Sequence, residues 1–201
     1  MYDRTFWDQR YSVDDYIFGT EPNDFLAEHA ALLTGPVLSL SEGEGRNAVH
    51  LASLGLEVLG VDLSPVALAK AERLAAARGV TIATEVVDLA DFEPGSERFG
   101  AVVSIFAHLP GALRQRLYPR IEEALRPGGL LLLESYSENQ LGRDTGGPKE
   151  IDLLMTVDKL RREFPRLTPV LAREIEREVR EGPAHTGPAS VVQLLARKEV
   201  A

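Results

Sequence analysis

The sequence predicts an α/β fold in which parallel strands alternate with helices. Its central stretch, 37–63, contains an apolar strand, a glycine turn, a helix and a second apolar strand that leads to Asp62. Residues 37–40 are too few and too apolar for a surface helix, and they follow Gly35 and Pro36, which interrupt regular structure. Because a parallel βαβ unit needs a crossover of about this length, the stretch indicates a parallel sheet.

The rest of the chain continues this alternation. Ser64 and Pro65 form a typical helix start, and Asn23 or Asp24 caps an earlier helix. The predicted helices cover 6–11, 24–33, 48–54, 64–78, 110–125 and 156–164. The predicted strands cover 37–40, 57–61, 81–87, 99–106, 130–136, 170–179 and 190–197. The charges of 170–179 would also suit a helix, so this segment has two interpretations.

Composition limits the classes of function. The chain of 201 residues has the size of one α/β domain, and its net charge of −9 argues against a nucleic-acid-binding surface. It contains no cysteine, which excludes disulfides and thiolate metal sites, and we expect no metal. The N-terminus has acids and no apolar run, so we expect no signal peptide, no membrane partner and a cytoplasmic location. The oligomeric state is not predicted.

The glycine turn and the acid after the second strand indicate a nucleoside site. Gly43 and Gly45 allow the backbone to approach a ligand, and Asp62 is placed to accept hydrogen bonds from two ribose hydroxyls. Nicotinamide cofactors and S-adenosylmethionine share this arrangement, and an ordinary tight turn is the other interpretation. Arg46 and Asn47 follow Gly45 without completing a G-x-G-x-x-G run, which disfavours a dinucleotide.

The segment EGEGRNAVHLA (42–52) resembles the first motif of class I S-adenosylmethionine-dependent methyltransferases, in the bacterial group near tellurite-resistance and, more distantly, thiopurine methyltransferases. The likeness extends over most of the chain and includes FWDQRY (6–11), FGTEPN (18–23), HLP (108–110) and PGGLLLLE (127–134). It implies a Rossmann-like three-layer sandwich with a seven-stranded, mostly parallel sheet whose last strand is antiparallel. It also implies S-adenosylmethionine as cofactor and a small molecule as methyl acceptor.

The resemblance divides the single domain 1–201 into an N-terminal segment, 1–34, that covers the cofactor and a core, 35–201. Trp7 and Tyr11 share one helix face, and simple packing on the sheet edge is the alternative to a covering role. Asp88 and Leu89 are implied to hold the adenine amino group and ring, although Asp88 also suits a turn. The full set of expected cofactor contacts is Trp7, Tyr11, Ser41, Glu42, Gly43, Arg46, Asn47, Asp62, Leu63, Asp88, Leu89, Ser104 and Ile105.

The first motif differs from the family pattern at two positions. Ser39 stands where the first strand often ends in an acid, and Ser41 stands where the turn begins with glycine. The acid of the family commonly helps to hold the methionyl ammonium of the cofactor. In this chain, backbone carbonyls or Glu42 are expected to take that part.

Two residues are candidates for a catalytic base. His108 follows the fourth strand, at the point where strand order is expected to reverse, and either acts on the acceptor or hydrogen-bonds a carbonyl. Tyr136 ends the fifth strand. An amine or hydroxyl acceptor would need such a base, whereas a thiol, selenol or oxyanion would not. The loop 137–150 is expected to form part of the substrate wall, with substrate contacts from Tyr16, Arg143, Glu181 and His185.

Two other functions remain open at this stage. A nicotinamide-dependent oxidoreductase shares the βαβ unit and the acid at the strand end. A methyltransferase-like binding or regulatory module, with weak or no catalysis, is compatible with Ser39 and Ser41.

Overall fold

A seven-stranded sheet runs through the computed structural model of the protein, which describes residues 3–143, 145–183 and 185–200. The strands are β1 Val37–Leu40, β2 Val58–Asp62, β3 Ala83–Val86, β4 Phe99–Ile105, β5 Leu125–Tyr136, β6 Leu167–Arg180 and β7 Thr186–Lys198. Their order in the sheet is β3-β2-β1-β4-β5-β7-β6. β7 pairs antiparallel with both β5 and β6, and the other pairs are parallel, which confirms the predicted fold class.

Helices cover both faces of the sheet. They are α1 Arg4–Tyr11, α2 Asp24–His29, α3 Arg46–Ser53, α4 Pro65–Ala77, α5 Gly111–Ala124 and α6 Val157–Glu163, with short 3₁₀ turns at Ala30–Leu32, Glu138–Gln140 and Ile151–Leu153. Asn23, Ser64 and Thr156 each cap the helix that follows through a side-chain oxygen. The predicted helix over 24–33 is shorter than expected because the chain tightens into the 3₁₀ turn after His29.

The core lies in two layers, one on each side of the sheet. Alternate residues of β5 point to opposite faces, so Leu131 and Leu133 pack in one layer and Leu130 and Leu132 in the other. The first layer contains residues of α5 and α6, and the second contains residues of α2, α3 and α4. This alternation produces the three-layer sandwich that the resemblance implies.

Strand lengths differ from the predictions mainly at β5, β6 and β7. β5 begins at Leu125 rather than at 130, because Leu125 pairs with Phe99 before a register shift. β6 and β7 form a hairpin that pairs from Leu167 and Lys198 to Arg180 and Thr186, well beyond the apolar stretches of either strand. Backbone pairing does not depend on side-chain polarity, and charged residues are tolerated on β6 because it is the edge of the sheet. The strand interpretation of 170–179 is confirmed.

The order of the strands fixes the place of a ligand. The chain leaves β1 toward β2 on one side and returns to β4 on the other, so the carboxyl ends of β1 and β4 flank the switch point. Among the described residues, no helix is long and apolar enough to cross a membrane.

Candidate cofactor and acceptor site

The glycine turn between β1 and α3 packs tightly against α4 and β2. Gly45 has φ +95°, and a Cβ there would lie 2.6 Å from Ala71, so only glycine fits. The amide of Gly43 donates to Oδ2 of Asp62 at 2.9 Å, and the amide of Ser64 donates to Oδ1 at 2.8 Å. The turn and the end of β2 are therefore joined through one carboxylate.

Asp62 keeps acceptor capacity for a ligand. The residue is 8% exposed at the carboxyl end of β2. Burial raises the pKa of its carboxyl group, while the amide donors of Ser64 and Gly43 oppose the shift. A carboxylate offers about four lone-pair positions, and the amides of Gly43 and Ser64 use one on each oxygen.

Glu42 lies inside the protein beneath the turn. Its carboxylate accepts hydrogen bonds from the Ser39 hydroxyl and, at 2.9 Å, from the Ala48 amide. Burial raises the pKa of Glu42 from 4.5 to about 7, although both hydrogen bonds act in the opposite direction. The side chain packs on Gly60, where a Cβ would come within 3.0 Å of Cγ of Glu42. The structure therefore gives Ser39 and Glu42 a shared role in holding the turn.

Ser41 occupies a left-handed backbone conformation, with φ +49°. Residues other than glycine adopt this region rarely, because Cβ crowds the backbone there. The turn of this chain therefore requires a positive φ at Ser41.

The N-terminal segment lies over the glycine turn. Tyr11 is buried, and its hydroxyl is 3.1 Å from the point that a Cβ of Gly43 would occupy. Trp7 stacks on Tyr11 with ring centroids 5.6 Å apart. Asp8 accepts a hydrogen bond from the Ser64 hydroxyl at 2.6 Å, so α1 rests on the start of α4.

Lys70 of α4 anchors the middle of this segment. Its buried ammonium donates to the carbonyls of Val13 at 2.9 Å and Asp15 at 2.7 Å and forms an ion pair with buried Glu44. The hydroxyl of Tyr16 donates to the Lys70 carbonyl at 3.0 Å. Tyr16, predicted as a substrate contact, therefore lies against α4.

Residues after β2, β3 and β4 complete the surroundings of the turn. Asp88 is exposed and accepts a hydrogen bond from the Ala90 amide at 2.8 Å. This bond lies within a turn, which is the alternative role that the sequence allows for Asp88. Leu89 is buried in the core. Ser104 and Ile105 are buried at the end of β4, and Leu63 is half-buried after β2.

Five rings meet beyond the end of β4 in what we call the ring cluster: Phe18, Phe106, His108, Tyr136 and His185. The Phe106 centroid is 4.4 Å from that of His185, 5.0 Å from Tyr136 and 6.1 Å from His108. Phe18 lies 6.2 Å from His185. Phe106 has φ +51°, an unusual conformation for a bulky residue, and such strain is often found at functional sites.

The two residues predicted as bases are neighbours in this cluster, but both are poor proton acceptors. Burial lowers the pKa of His108 to about 4, and the imidazole of His185 adds to this shift. Burial also raises the pKa of Tyr136 well above 10, with a further contribution from Glu181. The Tyr136 hydroxyl donates to the Thr145 carbonyl at 3.2 Å, so the loop 137–150 covers this ring.

A buried group of charges, which we call the carboxylate network, joins α2, α3, β5 and the β6–β7 hairpin. Glu181 accepts from Asn23 at 2.7 Å and pairs with Arg46 at 2.7 Å and Arg177 at 3.3 Å. Glu134 accepts from Asn23 at 2.8 Å and pairs with Arg177 at 2.5 Å. Each arginine therefore faces at least one buried carboxylate.

His185 connects the carboxylate network to the ring cluster. Its Nδ1 is 2.8 Å from Oε2 of Glu181, whereas its Nε2 is buried and has no hydrogen-bond partner among the described residues. Burial alone would raise the pKa of Glu181, but the hydrogen bond with His185 and the charge of Arg46 hold it at about 2. The site thus contains an ionised carboxylate behind an imidazole with one unused nitrogen.

The structure brings most of the predicted site residues to the carboxyl edge of the sheet. Tyr16, which lies against α4, is one exception, and Arg143 is the other. Arg143 forms an ion pair with Glu176 on the edge strand β6, and the structure does not join it to the ring cluster. Asn47 accepts from the Asn23 amide at 3.0 Å, and Arg46 pairs with Glu181, so both side chains serve the protein interior.

Sequence reasoning missed Asn23, Phe106 and Arg177. Arg177 could have been found, because it alternates with Ile175 and Val179 on the inward side of β6. Phe106 and Asn23 gave no comparable signal, since an aromatic residue at a strand end and an asparagine at a helix cap are ordinary features. Among the described residues, no group of three acidic or histidine side chains could hold a metal ion.

Comparisons with known proteins agree with this architecture. The profile of a family described as a methyltransferase domain matches residues 37–129. Over 120 residues the chain is 31% identical to 2-heptyl-1-hydroxyquinolin-4(1H)-one methyltransferase of Mycobacteroides abscessus, a match that covers 58% of this chain and 53% of the relative. The chain spans about half or less of the length of the curated relatives it matches.

Two solved structures share the fold over 98% of this chain. One comes from work on the conversion of a disulfide bond into a thioacetal group during echinomycin biosynthesis, with a TM-score of 0.79, 26% identity and 92% of that chain covered. The other is TehB from Haemophilus influenzae, with a TM-score of 0.71, 18% identity and 67% of that chain covered.

Proposed function

We propose that this chain is a class I S-adenosylmethionine-dependent methyltransferase that moves a methyl group from that cofactor to a small-molecule acceptor. The observation that carries the proposal is the Asp62 carboxylate, which lies beside the glycine turn with acceptor capacity to spare. An acid at this place in an open α/β sheet suits the two hydroxyls of a ribose.

The residues around the turn fit this cofactor. Gly43 has φ +64°, and its lack of a side chain lets the Tyr11 hydroxyl approach the turn closely. We assign the ribose to Asp62, the adenine to the surroundings of Asp88 and Leu89, and the cover to Trp7 and Tyr11. Because Glu42 is already bound to Ser39 and Ala48, backbone carbonyls of the turn are the better partners for the methionyl ammonium.

When bound, S-adenosylmethionine supplies an electrophilic methyl carbon. An electron pair of the acceptor forms the new bond to this carbon, while the carbon–sulfur bond breaks and leaves its electron pair on sulfur. The protein's contribution is to hold the acceptor in line and to exclude water. The rings that close the site beyond β4, together with a curated relative named for a hydroxyquinolinone, support an acceptor with a flat apolar body.

Calorimetric titration with S-adenosylhomocysteine tests the cofactor site. We expect saturable one-site binding that Asp62→Asn weakens and Asp62→Ala abolishes. Glu57→Ala, which removes an exposed carboxylate just before β2, at the opposite end of that strand from Asp62, is the matched control and should bind like the wild type. Absence of binding by protein with a native circular dichroism spectrum would overturn the enzyme proposal in favour of a binding module. Binding of NADH instead would favour an oxidoreductase.

A further inference from the structure

We infer that Glu181 and His185 form a base dyad in which Nε2 of His185 takes a proton from the methyl acceptor, and that the acceptor is a neutral ring compound with a weakly acidic O–H or N–H. This inference rests on the proposed methyl transfer. It assigns the base to the β6–β7 hairpin rather than to the end of β4 or β5.

The hydrogen bond between Glu181 and His185 fixes where the imidazole proton lies. An ionised carboxylate only accepts hydrogen bonds, so Nδ1 of His185, 2.8 Å away, must be the donor. In the neutral ring the lone pair is then on Nε2. Glu181 stays ionised because Arg46 and Asn23 also bind it, so it can stabilise the imidazolium that forms when Nε2 takes a proton.

The position of Nε2 points to a ligand. His185 is 5% exposed, and its Nε2 has no partner among the described residues. Buried polar atoms are nearly always paired, so an unpaired nitrogen in a buried site indicates a group reserved for another molecule. The strained backbone at Phe106 holds a ring against this same imidazole, at 4.4 Å between centroids.

The surroundings of Nε2 decide the class of acceptor. Phe18, Phe106 and Tyr136 present rings to His185, which favours a flat apolar molecule. Arg46 and Arg177, which adjoin Glu181, are both held by buried carboxylates. Arg10 lies over the Phe18 ring, 5.6 Å from its centroid, and is exposed. No cation that is free of a buried carboxylate is recorded against the His185 ring in the described part of the chain, so a neutral acceptor is favoured there over an oxyanion.

The other groups facing the cluster cannot replace His185. The pKa of His108 is lowered to about 4, which makes it a weak base near neutral pH. Tyr136 would have to ionise first, and its pKa is raised well above 10. Glu134 is engaged by Arg177, Asn23 and Gln193.

The step balances in atoms and charge. The acceptor's O–H or N–H bond breaks, its proton goes to Nε2, and the electron pair left on the heteroatom forms the bond to the methyl carbon. His185 becomes an imidazolium paired with Glu181 and later releases the proton to water. No oxidant, reductant or metal is needed.

Nitrogen NMR of the histidine rings tests the dyad without cofactor or acceptor. We expect the neutral ring of His185 to carry its proton on Nδ1 and none on Nε2, with the signals assigned by their loss in His185→Gln. His50→Gln, in the last turn of α3, is the matched control and should leave these signals in place. A neutral His185 ring protonated on Nε2 would overturn the dyad.

Binding of 4-nitrophenol, whose anion absorbs visible light, tests the acceptor class. The probe is added to protein saturated with S-adenosylhomocysteine, below the pKa of the free phenol. We expect the bound phenol to show the anion band and to shift the His185 nitrogen signals, with the band lost in His185→Gln and kept in His50→Gln. Glu181→Gln, a change in a positioning residue, should keep the Nδ1 proton but weaken the band about tenfold.

Other outcomes of the same titration contradict the inference. If tellurite perturbs His185 while 4-nitrophenol does not, the acceptor is an oxyanion and the ring-compound class is wrong. If neither perturbs His185, the hairpin does not form the acceptor site. Because binding of S-adenosylhomocysteine is measured separately, failure of this inference is distinguishable from failure of the methyltransferase proposal.

Discussion

At the scale of single residues, buried acids decide much of the behaviour of this protein. Glu42, Glu134 and Glu181 are nearly inaccessible to water, yet they lie in different environments. Glu181 is surrounded by cationic donors, while Glu42 receives hydrogen bonds only from a hydroxyl and an amide. The folded state therefore raises the pKa of Glu42 and lowers the pKa of Glu181.

Glu42→Gln should stabilise the protein at alkaline pH. The folded state raises the pKa of Glu42 from 4.5 to about 7, so between these values it binds more protons than the unfolded state and stability falls as pH rises. Glutamine keeps an acceptor for the Ala48 amide but does not ionise. Urea unfolding at pH 5 and pH 8 should show the variant gaining about 3 kcal/mol relative to the wild type over this range. An equal difference at both pH values would contradict the prediction.

At the scale of elements, residues 3–19 of the N-terminal segment are held by a few buried polar contacts, whereas α2 packs into the apolar core. Lys70 binds Val13, Asp15 and Glu44, and Gly19 meets Gly182 of the hairpin backbone to backbone. The segment thus links α4, the glycine turn and the β6–β7 hairpin. The glycine turn and the ring cluster are therefore connected through this segment.

Lys70→Met should loosen this segment. It removes two hydrogen bonds and leaves Glu44 as an unpaired buried carboxylate, so we expect the free energy of unfolding to fall by about 3 kcal/mol. Limited proteolysis should show faster cleavage near residues 13–18. Arg78→Met, which breaks an exposed ion pair with Glu21, is the control and should cost less than about 1 kcal/mol. Similar losses in both variants would show that Lys70 is not an anchor.

Gly182→Ala tests the contact between the segment and the hairpin. A Cβ there would lie 2.4 Å from the Gly19 nitrogen, and the position also has φ +75°. Gly55→Ala has φ +86° and open space around Cβ, so it measures the backbone strain alone, about 1 kcal/mol. Thermal unfolding should therefore show a clearly larger loss for Gly182→Ala. Equal thermal midpoints for the two variants would mean that the N-terminal segment moves away from the hairpin at no cost in free energy.

At the scale of the whole molecule, the carboxylate network joins parts of the chain that are distant in sequence. Arg46 and Arg177 come from α3 and β6, and Glu134 and Glu181 come from β5 and the hairpin turn. These two positive and two negative charges balance only when all of these elements are assembled. Removing one partner leaves another charge buried and unpaired, which is far more costly than losing an exposed ion pair. The network therefore ties the stability of the fold to the geometry of Glu181 and His185.

Acid should unfold the wild type through Glu181. The folded state lowers its pKa to about 2 from an ordinary value of 4.5, so the unfolded state binds more protons between these values and stability falls as pH falls. The loss should be on the order of 3 kcal/mol and complete only near pH 2. Urea unfolding at pH 5 and pH 3 should show a shallower acid loss for Glu181→Gln. An unchanged slope would show that other carboxylates dominate.

The glycine turn shows how far local sequence can go. The strand, the two glycines, the acid after β2 and the helix caps at Asn23 and Ser64 follow from short-range rules, because φ preferences and cap hydrogen bonds involve neighbours in the chain. The bases illustrate the opposite case. His108 and Tyr136 lie at the expected edge of the sheet, but burial shifts the pKa of both, with further contributions from His185 to His108 and from Glu181 to Tyr136. His185 is 77 residues after His108 in the chain.

The sequence by itself determined the fold class, the glycine turn after β1 and the position of Asp62 at the end of β2, because hydrophobic periodicity, glycine and strand-end position act locally. Only the tertiary structure decided that Glu42 is bound beneath the turn, that Tyr16 lies on α4, and that Glu181 and His185 stand behind the ring cluster. Desolvation, ion pairing and an unpaired buried nitrogen arise from residues far apart in the chain. They exist only once the sheet has brought those residues together.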